Sequence, residues 1–351
     1  MKFGLHYLMS CSDTQSPAQR YRDTIEQAAR GEALGFESVW PVEQHFNQKQ
    51  SALPSPALLL AAIAQRTRTM RLGTAIVQLP LGHPLRIAEE IATLDVLSGG
   101  RVEFGVGRGS NPQHFAGFGV PLSESRDRMI EALDYIRQAW TQERFSFQGR
   151  FFQADDICLV PKPLQQPHPP IWVAANGPDT FKFAGQLGYP ILVAAHINPF
   201  PKLRALLTMY QNARKEAGHP DMGQDDLTLL MPLYVGEDRP KIRQDVEPAV
   251  KNFVDLATSL LTSSSGKWMS EAERKNMDAL LERTRAVTYE MMNDGMAIFD
   301  TPEACVERLK YVQQEFNPGR VISWFNFVGA IPHDRVMRSM ELFSSKVLPH
   351  F

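Results

Sequence analysis

Residues 37–46 read Glu37-Ser38-Val39-Trp40-Pro41-Val42-Glu43-Gln44-His45-Phe46, a short apolar run that passes without a break into a carboxylate, an amide, an imidazole and an aromatic ring. A strand ending in such a cluster points to a β/α protein, which places its chemistry on loops beyond the carboxyl ends of its strands. The same short, apolar, β-branched or aromatic pattern recurs at 2–8, 71–78, 102–107, 170–175, 190–194, 228–235 and 320–327. Helix patterns alternate with these strands at 18–34, 55–67, 84–97, 124–142, 178–187, 200–217, over a long region after 240, at 302–316 and at 332–346. Pro56, Pro84, Pro302 and Pro332 sit near helix starts, where a missing N–H costs little, and Gly35, Gly188 and Gly218 sit where helices should stop.

Eight such strands allow a closed (β/α)8 TIM barrel or an open doubly wound sheet, and a count of eight ending in a helix favours the barrel. An open nucleotide-binding sheet needs a glycine-rich turn after its first strand, and Leu8-Met9-Ser10-Cys11-Ser12 contains no glycine. Two stretches break the rhythm. Residues 145–163 read as a β-hairpin ending in Pro161-Lys162-Pro163, and the polar stretch 262–300 opens with Thr262-Ser263-Ser264-Ser265-Gly266. An excursion of that size after strand seven predicts a mobile lid or a solvated helical insertion on a single domain spanning 1–351.

Composition narrows the function classes. The chain has 351 residues, 43% of them hydrophobic, which is ample for a large core. A net charge of −2 gives no electrostatic claim on nucleic acid or an acidic membrane surface. Cys11, Cys158 and Cys305 are odd in number and far apart, which fits neither a disulfide framework nor a thiolate metal site and suits a reducing cytoplasm. No run is long enough to span a bilayer, and Lys2-Phe3-Gly4-Leu5 reads as a strand rather than a signal peptide. No metal is expected, since HExxH is absent and His45, His83, His114 and His196 fall at the ends of different elements.

Three further strand ends carry candidate chemistry. At strand four, Phe104-Gly105-Val106-Gly107-Arg108-Gly109-Ser110 alternates glycines with an arginine, so the backbone can approach a flat or anionic ligand while Arg108 offers a planar fork to phosphate; a tight turn with a surface arginine is an equal reading. At strand five, Ala175-Asn176-Gly177-Pro178-Asp179-Thr180 leads into a helix whose free N–H groups and Thr180 hydroxyl suit an anion, although plain N-capping is common. At strand three, Gly73-Thr74-Ala75-Ile76 is small enough to let a ring lie on the backbone, though a plain buried strand is the commoner reading. His45 is a candidate general base, a hydrogen-bond donor to a cofactor, or a satisfied core histidine; Glu43 could fix its tautomer.

Taken in order, Met1-Lys2-Phe3-Gly4, Gly35-Phe36-Glu37-Ser38-Val39-Trp40, Glu43-Gln44-His45-Phe46, Gly73-Thr74-Ala75, His83-Pro84-Leu85-Arg86, Ser98-Gly99-Gly100-Arg101, Phe104-Gly105-Val106-Gly107-Arg108-Gly109 and Ser339-Met340-Glu341-Leu342-Phe343 resemble the bacterial luciferase-like, flavin-dependent monooxygenases over almost the full length. The resemblance implies a (β/α)8 barrel with an insertion after strand seven. It implies reduced FMN, delivered by a separate NAD(P)H:flavin reductase, and O2 captured as a flavin C4a-peroxide that oxygenates an organic substrate. The ring would lie over Ala75 and Ile76, where the family often has a cis peptide, and the phosphate would meet Arg108, Gly109, Asn176, Gly177 and Thr180. Glu43, Gln44 and His45 become the catalytic candidates, and Phe46, Phe115, Trp172, His196 and Trp324, with Met9, the candidate substrate pocket. Two departures matter: luciferase's catalytic subunit has a histidine base where this chain has Gln44, and a reactive cysteine where it has Gly107. Glutamine cannot exchange a proton near neutral pH, so an oxygenase of another substrate is expected rather than light emission. A deazaflavin-dependent oxidoreductase and a non-catalytic barrel subunit are the alternatives. The apolar faces of 55–67 and 84–97 (Leu58, Leu59, Ala62; Ile87, Ile91, Leu94) predict a homodimer.

Overall fold

A computed structural model describes residues 1–12, 15–264 and 271–351. Its eight principal strands are Lys2–Tyr7, Ser38–Pro41, Arg71–Gly73, Val102–Gly107, Ile171–Ala174, Ile191–Ala194, Leu227–Val235 and Arg320–Trp324, here the first to the eighth. Each is parallel to its neighbours, and the first pairs with both the second and the eighth, so the sheet closes into the expected barrel. Side chains alternate between the barrel interior and the helix layer. On the first strand, Phe3 packs edge-on to Phe343 of the last helix, with ring centroids 5.0 Å apart, while His6 lies on the interior face beside Trp324 of the neighbouring eighth strand.

The third strand departs from its expected extent of 71–78. It stops at Gly73, and Val77–Gln78 resumes pairing beside the fourth strand after a cis Ala75–Ile76 peptide. The cause lies opposite: the backbone at Thr74 crosses Gly105 so closely that a Cβ there would sit 1.8 Å from the Thr74 carbonyl oxygen. The Thr74 hydroxyl fixes the crossing by donating to the Gly105 carbonyl at 2.7 Å.

Helix boundaries follow local chemistry. The Ser16 hydroxyl caps Pro17–Ala33 by accepting from the Gln19 N–H, and proline opens Pro56–Ala64, Pro84–Ser98, Pro178–Leu187 and Pro302–Phe316. Gly188 ends Pro178–Leu187 in the left-handed conformation, with φ 73°. Leu59, Ile87, Ile91 and Leu94, expected to face a partner subunit, are buried within the chain itself; of that set only Leu58 and Ala62 are exposed. The hairpin forms between Phe145–Gln148 and Gln153–Ile157. Among the described residues no helix is long and apolar enough to cross a membrane.

The insertion after the seventh strand begins earlier than 262. Helix Arg239–Ser264 leads it, because Ile242, Val246, Ala249 and Val250 give that helix a buried apolar anchor. Helices Glu271–Arg285 and Tyr289–Gly295 follow, and Ile298–Asp300 returns as a buried strand beside Leu233–Val235. Residues 265–270 of the expected lid lie outside the described residues.

Inside the barrel, Trp40, Trp172, Leu192 and Ile322 form a compact cluster. Beneath it lies a buried ionic knot. Glu103 of the fourth strand accepts from Trp172 Nε1 at 2.5 Å, from Arg71 Nε at 2.5 Å and from Arg320 Nη2 at 3.2 Å. The Arg320 guanidinium lies over the Trp40 and Trp172 rings, 5.2 and 5.6 Å from their centroids. This knot and the tryptophans make a solid floor, and the space above it is open.

Candidate functional site

Above that floor, at the carboxyl ends of the strands, lies a cavity of about 1030 Å³. It exceeds the roughly 300–1,000 Å³ typical of a pocket for one drug-sized ligand. Its wall follows the barrel: His6 on the first strand and Leu8 just past it, Glu43 and Gln44 after the second, Ala75, Ile76 and Gln78 after the third, Gly107 to Asn111 at the end of the fourth. Asn176, Gly177 and Thr180 follow the fifth strand and His196 the sixth, with Leu230 on the seventh and Trp324 closing the eighth. Phe253, Leu256, Ala257, Leu260 and Leu261 of helix Arg239–Ser264 close the side.

Of the residues expected from sequence, Glu43, Gln44, Ala75, Ile76, Arg108, Gly109, Asn176, Gly177, Thr180, His196 and Trp324 therefore meet at one cavity. His45, Phe46, Phe115, Trp172 and Met9 do not line it. Past the end of the second strand Val42, Glu43 and Gln44 line the cavity, and His45 turns behind it. There the His45 ring packs edge-on against His114 and Phe118. Phe46 adopts φ 62° and lies 58% exposed against Phe118. Phe115 is buried on the short Pro112–Phe118 helix, and Trp172 belongs to the floor.

A hydrogen-bond chain behind the wall holds the segment after the third strand. His45 Nε2 donates to Glu43 Oε1 at 2.9 Å, because a carboxylate can only accept. Glu43 Oε2 accepts from the Gln78 N–H at 3.0 Å, and Gln78 Nε2 donates back to the Glu43 carbonyl at 3.0 Å. The Glu43 N–H donates to the Ile76 carbonyl at 3.3 Å. Gln78 Oε1 accepts from His114 Nδ1 at 3.3 Å, and His114 Nε2 accepts from the His45 N–H and from Asn111 Nδ2. Burial, and then the proximity of His45, hold His114 down at about 4, so it is a neutral ring in this chain. Gln78, Asn111 and His114 went unassigned in sequence because their roles depend on which loops meet.

The two sides of the cavity differ. On the side of the third, fourth and fifth strands, Arg108 is exposed and has no hydrogen-bond or ion-pair partner among the described residues. Helix Pro178–Leu187 starts beside it with Gly177 as N-cap, free of any side-chain cap, and a Cβ on Gly177 would meet open space. Asn176 is less available: its Oδ1 accepts from Asn198 Nδ2 and the Ala194 N–H. A second arginine invisible as a neighbour in sequence, Arg126, also lines this side and lies 3.6 Å from Asp179.

On the opposite side stand His6, His196 and Trp324. Burial, and then the proximity of His196, hold His6 down at about 3; burial holds His196 at about 4. The sequence reading missed His6, which looks like one residue of an apolar strand. The available signal was parity: Gly4 and His6 share the interior face, alternating with outward Phe3 and Leu5. The buried Gln44 Oε1 atom on the wall between the two sides has no partner among the described residues.

Closed parallel barrel, floor, mouth cavity and lateral helical cover together define a β/α barrel with a ligand-sized cavity at the carboxyl ends of its strands. The chain belongs to the luciferase-like monooxygenase family, whose model matches residues 1–316. It is 31% identical over 240 residues to the oxygenase component of the flavin-dependent trigonelline monooxygenase of Acinetobacter baylyi, covering 68% of this chain and 66% of that one. Among solved structures, a monooxygenase from Streptomyces bottropensis superposes with a TM-score of 0.83 at 29% identity, covering 100% of this chain and 99% of the other. The oxygenating constituent of 3,6-diketocamphane monooxygenase from Pseudomonas putida, in complex with FMN, gives a TM-score of 0.82 at 20% identity, covering 100% and 98%.

Proposed function

We propose that this protein is the oxygenase component of a two-component flavin-dependent monooxygenase, taking reduced FMN from a separate NAD(P)H:flavin reductase and using O2 to oxygenate an uncharged organic substrate. The observation behind this reading is Arg108, a cation without a partner among the described residues that lines the same cavity as the uncapped start of helix Pro178–Leu187. An unpaired arginine beside open helix N–H groups suits a phosphate monoester. Gly109, Asn176, Gly177 and Thr180 complete that end, and the strip Ala75–Ile76 offers a small surface for a flat ring. Bound reduced flavin would supply the activation of O2 and the transfer of one oxygen atom.

The chain's own contribution is placement and exclusion. Glu43, Gln78, His114 and His45 brace the Ala75–Ile76 strip from behind; His45 is thus a positioning residue, not a base in contact with substrate. Gln44 offers its amide to the cavity and cannot move a proton at neutral pH. The apolar side chains of helix Arg239–Ser264 keep water from the cavity flank, which fits the lid role for the insertion in a single domain.

The test is a fluorescence titration with FMN, with oxygen uptake followed when reduced FMN is added. Arg108→Ala should weaken FMN about 10- to 100-fold, the loss of a charge-assisted hydrogen bond to phosphate; no flavin affinity in the wild type would defeat the proposal. A deazaflavin-dependent reading draws on Arg126, a second arginine at this end, but Asp179 already neutralises it; competition between the two cofactors separates these readings. We also propose a homodimer, through exposed Leu58 and Leu97 on neighbouring helices. A monomeric mass at micromolar concentration would exclude it.

A further inference from the structure

We propose that the arc of the cavity formed by the sixth, seventh, eighth and first strands binds an uncharged aromatic substrate through hydrogen bonds from two of its oxygens to the imidazoles of His6 and His196. This rests on the flavin reading only in that the opposite arc is left to the cofactor.

Three observations converge. First, both imidazoles line the cavity, and each has a buried Nδ1 atom with no partner among the described residues. His6 is only 4% exposed; His196 is half-buried, but its Nδ1 is shielded. Each ring thus keeps at Nδ1 a hydrogen-bonding capacity that no described residue uses, on side chains that line one cavity. Second, the two rings flank one indole: His6 meets Trp324 at 5.2 Å and His196 meets it at 5.6 Å, both edge-on. Phe253 packs edge-on to His196 at 5.9 Å, so the arc is walled by rings, which favour a flat aromatic guest. Third, no described residue lining this arc is Asp, Glu, Lys or Arg, and burial keeps both imidazoles uncharged at neutral pH. A neutral imidazole can donate from one nitrogen and accept at the other, which suits hydroxyl or carbonyl oxygen; it gives a carboxylate no countercharge in a site that strips its water. Charge on this wall is confined to Glu43 and to Arg108, Arg126 and Asp179 across the cavity.

The experiment compares dihydroxynaphthalene, unsubstituted naphthalene, naphthoate and a saturated diol of the same carbon skeleton, by equilibrium dialysis against the FMN-loaded protein at pH 7. Dihydroxynaphthalene should bind at least tenfold tighter than each of the others. His6→Phe and His196→Phe, which keep a ring and remove the hydrogen bond, should each weaken it about 2- to 10-fold and leave naphthalene binding unchanged. Equal or tighter binding of naphthoate, naphthalene or the saturated diol overturns the proposal, as does no binding of any probe. The wild-type ranking decides the matter even if a variant does not fold. Failure to load FMN is read in a separate titration and overturns the flavin reading; the same ranking on the flavin-free protein then decides this one.

Discussion

Lowering the pH from 7 to 5 should destabilise this protein through His6 and His196 in particular. Each imidazole takes up a proton near 6.5 when the chain is unfolded, but only near 3 (His6) or 4 (His196) when folded. Between those values the unfolded chain holds more protons, so stability is full above about 6.5 and falls as the pH drops. At pH 5 the unfolded chain is 1.5 units below its pKa, and at about 1.4 kcal/mol per unit each ring removes about 2 kcal/mol, or about 4 kcal/mol for the two. The loss continues until the folded-state values are reached. The assay is urea unfolding followed by tryptophan fluorescence at both pH values, for the wild type and for a His6→Gln/His196→Gln double variant. The double variant should lose about 4 kcal/mol less than the wild type between pH 7 and 5, since carboxylates and the other histidines contribute equally to both. Imidazole nitrogen NMR reads the same point directly: the two rings should remain neutral in the folded protein at pH 5. A difference under about 1 kcal/mol, or two rings titrating near 6.5, would refute the claim that this arc of the cavity is dry enough to hold them neutral.

Removing Glu103 by Glu103→Ala should cost about 3–5 kcal/mol in chemical denaturation, because it leaves Arg320 buried without its countercharge. Gly105→Ala forces a Cβ to within 1.8 Å of the Thr74 carbonyl oxygen, and should lower stability by at least the roughly 1–3 kcal/mol of an overpacked core. Gln78→Ala strips partners from buried His114 and from the Glu43 carbonyl, so thermal unfolding should report about 1–3 kcal/mol of loss; FMN affinity should fall with it if the strip it braces holds the ring.

The barrel was legible because its strands are short apolar runs set off by proline-opened and glycine-closed helices, and those signals are local. All eight strands lie where the pattern placed them, although the eighth, read as 320–327, ends at Trp324 and the chain turns into a short 3-10 segment at Phe327–Gly329. The third was read too long, since nothing in Gly73-Thr74-Ala75-Ile76 reveals that Gly105, far along the chain, lets the backbone cross over it. The cavity was legible at the level of loops: Glu43, Arg108 and Thr180 all come from strand ends. Facing was not legible. Gln44 and His45 are neighbours, and only the packing of His45 against His114 and Phe118 decides that the amide and not the imidazole meets the cavity. His6 was hidden for a related reason, because a polar residue inside an apolar strand looks like an exception until the barrel interior is seen to be a binding wall. The insertion was read from the polar stretch at 262, whereas the helix that leads it, Arg239–Ser264, starts earlier and buries one face.

Glu103 and Arg320 come from the fourth and eighth strands, which stand on opposite sides of the barrel, and Arg71 ties the third to the same knot. The barrel is therefore cross-braced through its own diameter below the cavity. A frame held from beneath leaves its rim free to vary: exchange of Gln44, Gly107 or the rings around Trp324 alters what the mouth accepts while the brace keeps its shape. Substrate range in such a chain can drift by substitution at the rim, one residue at a time, with the structural cost of each step kept local.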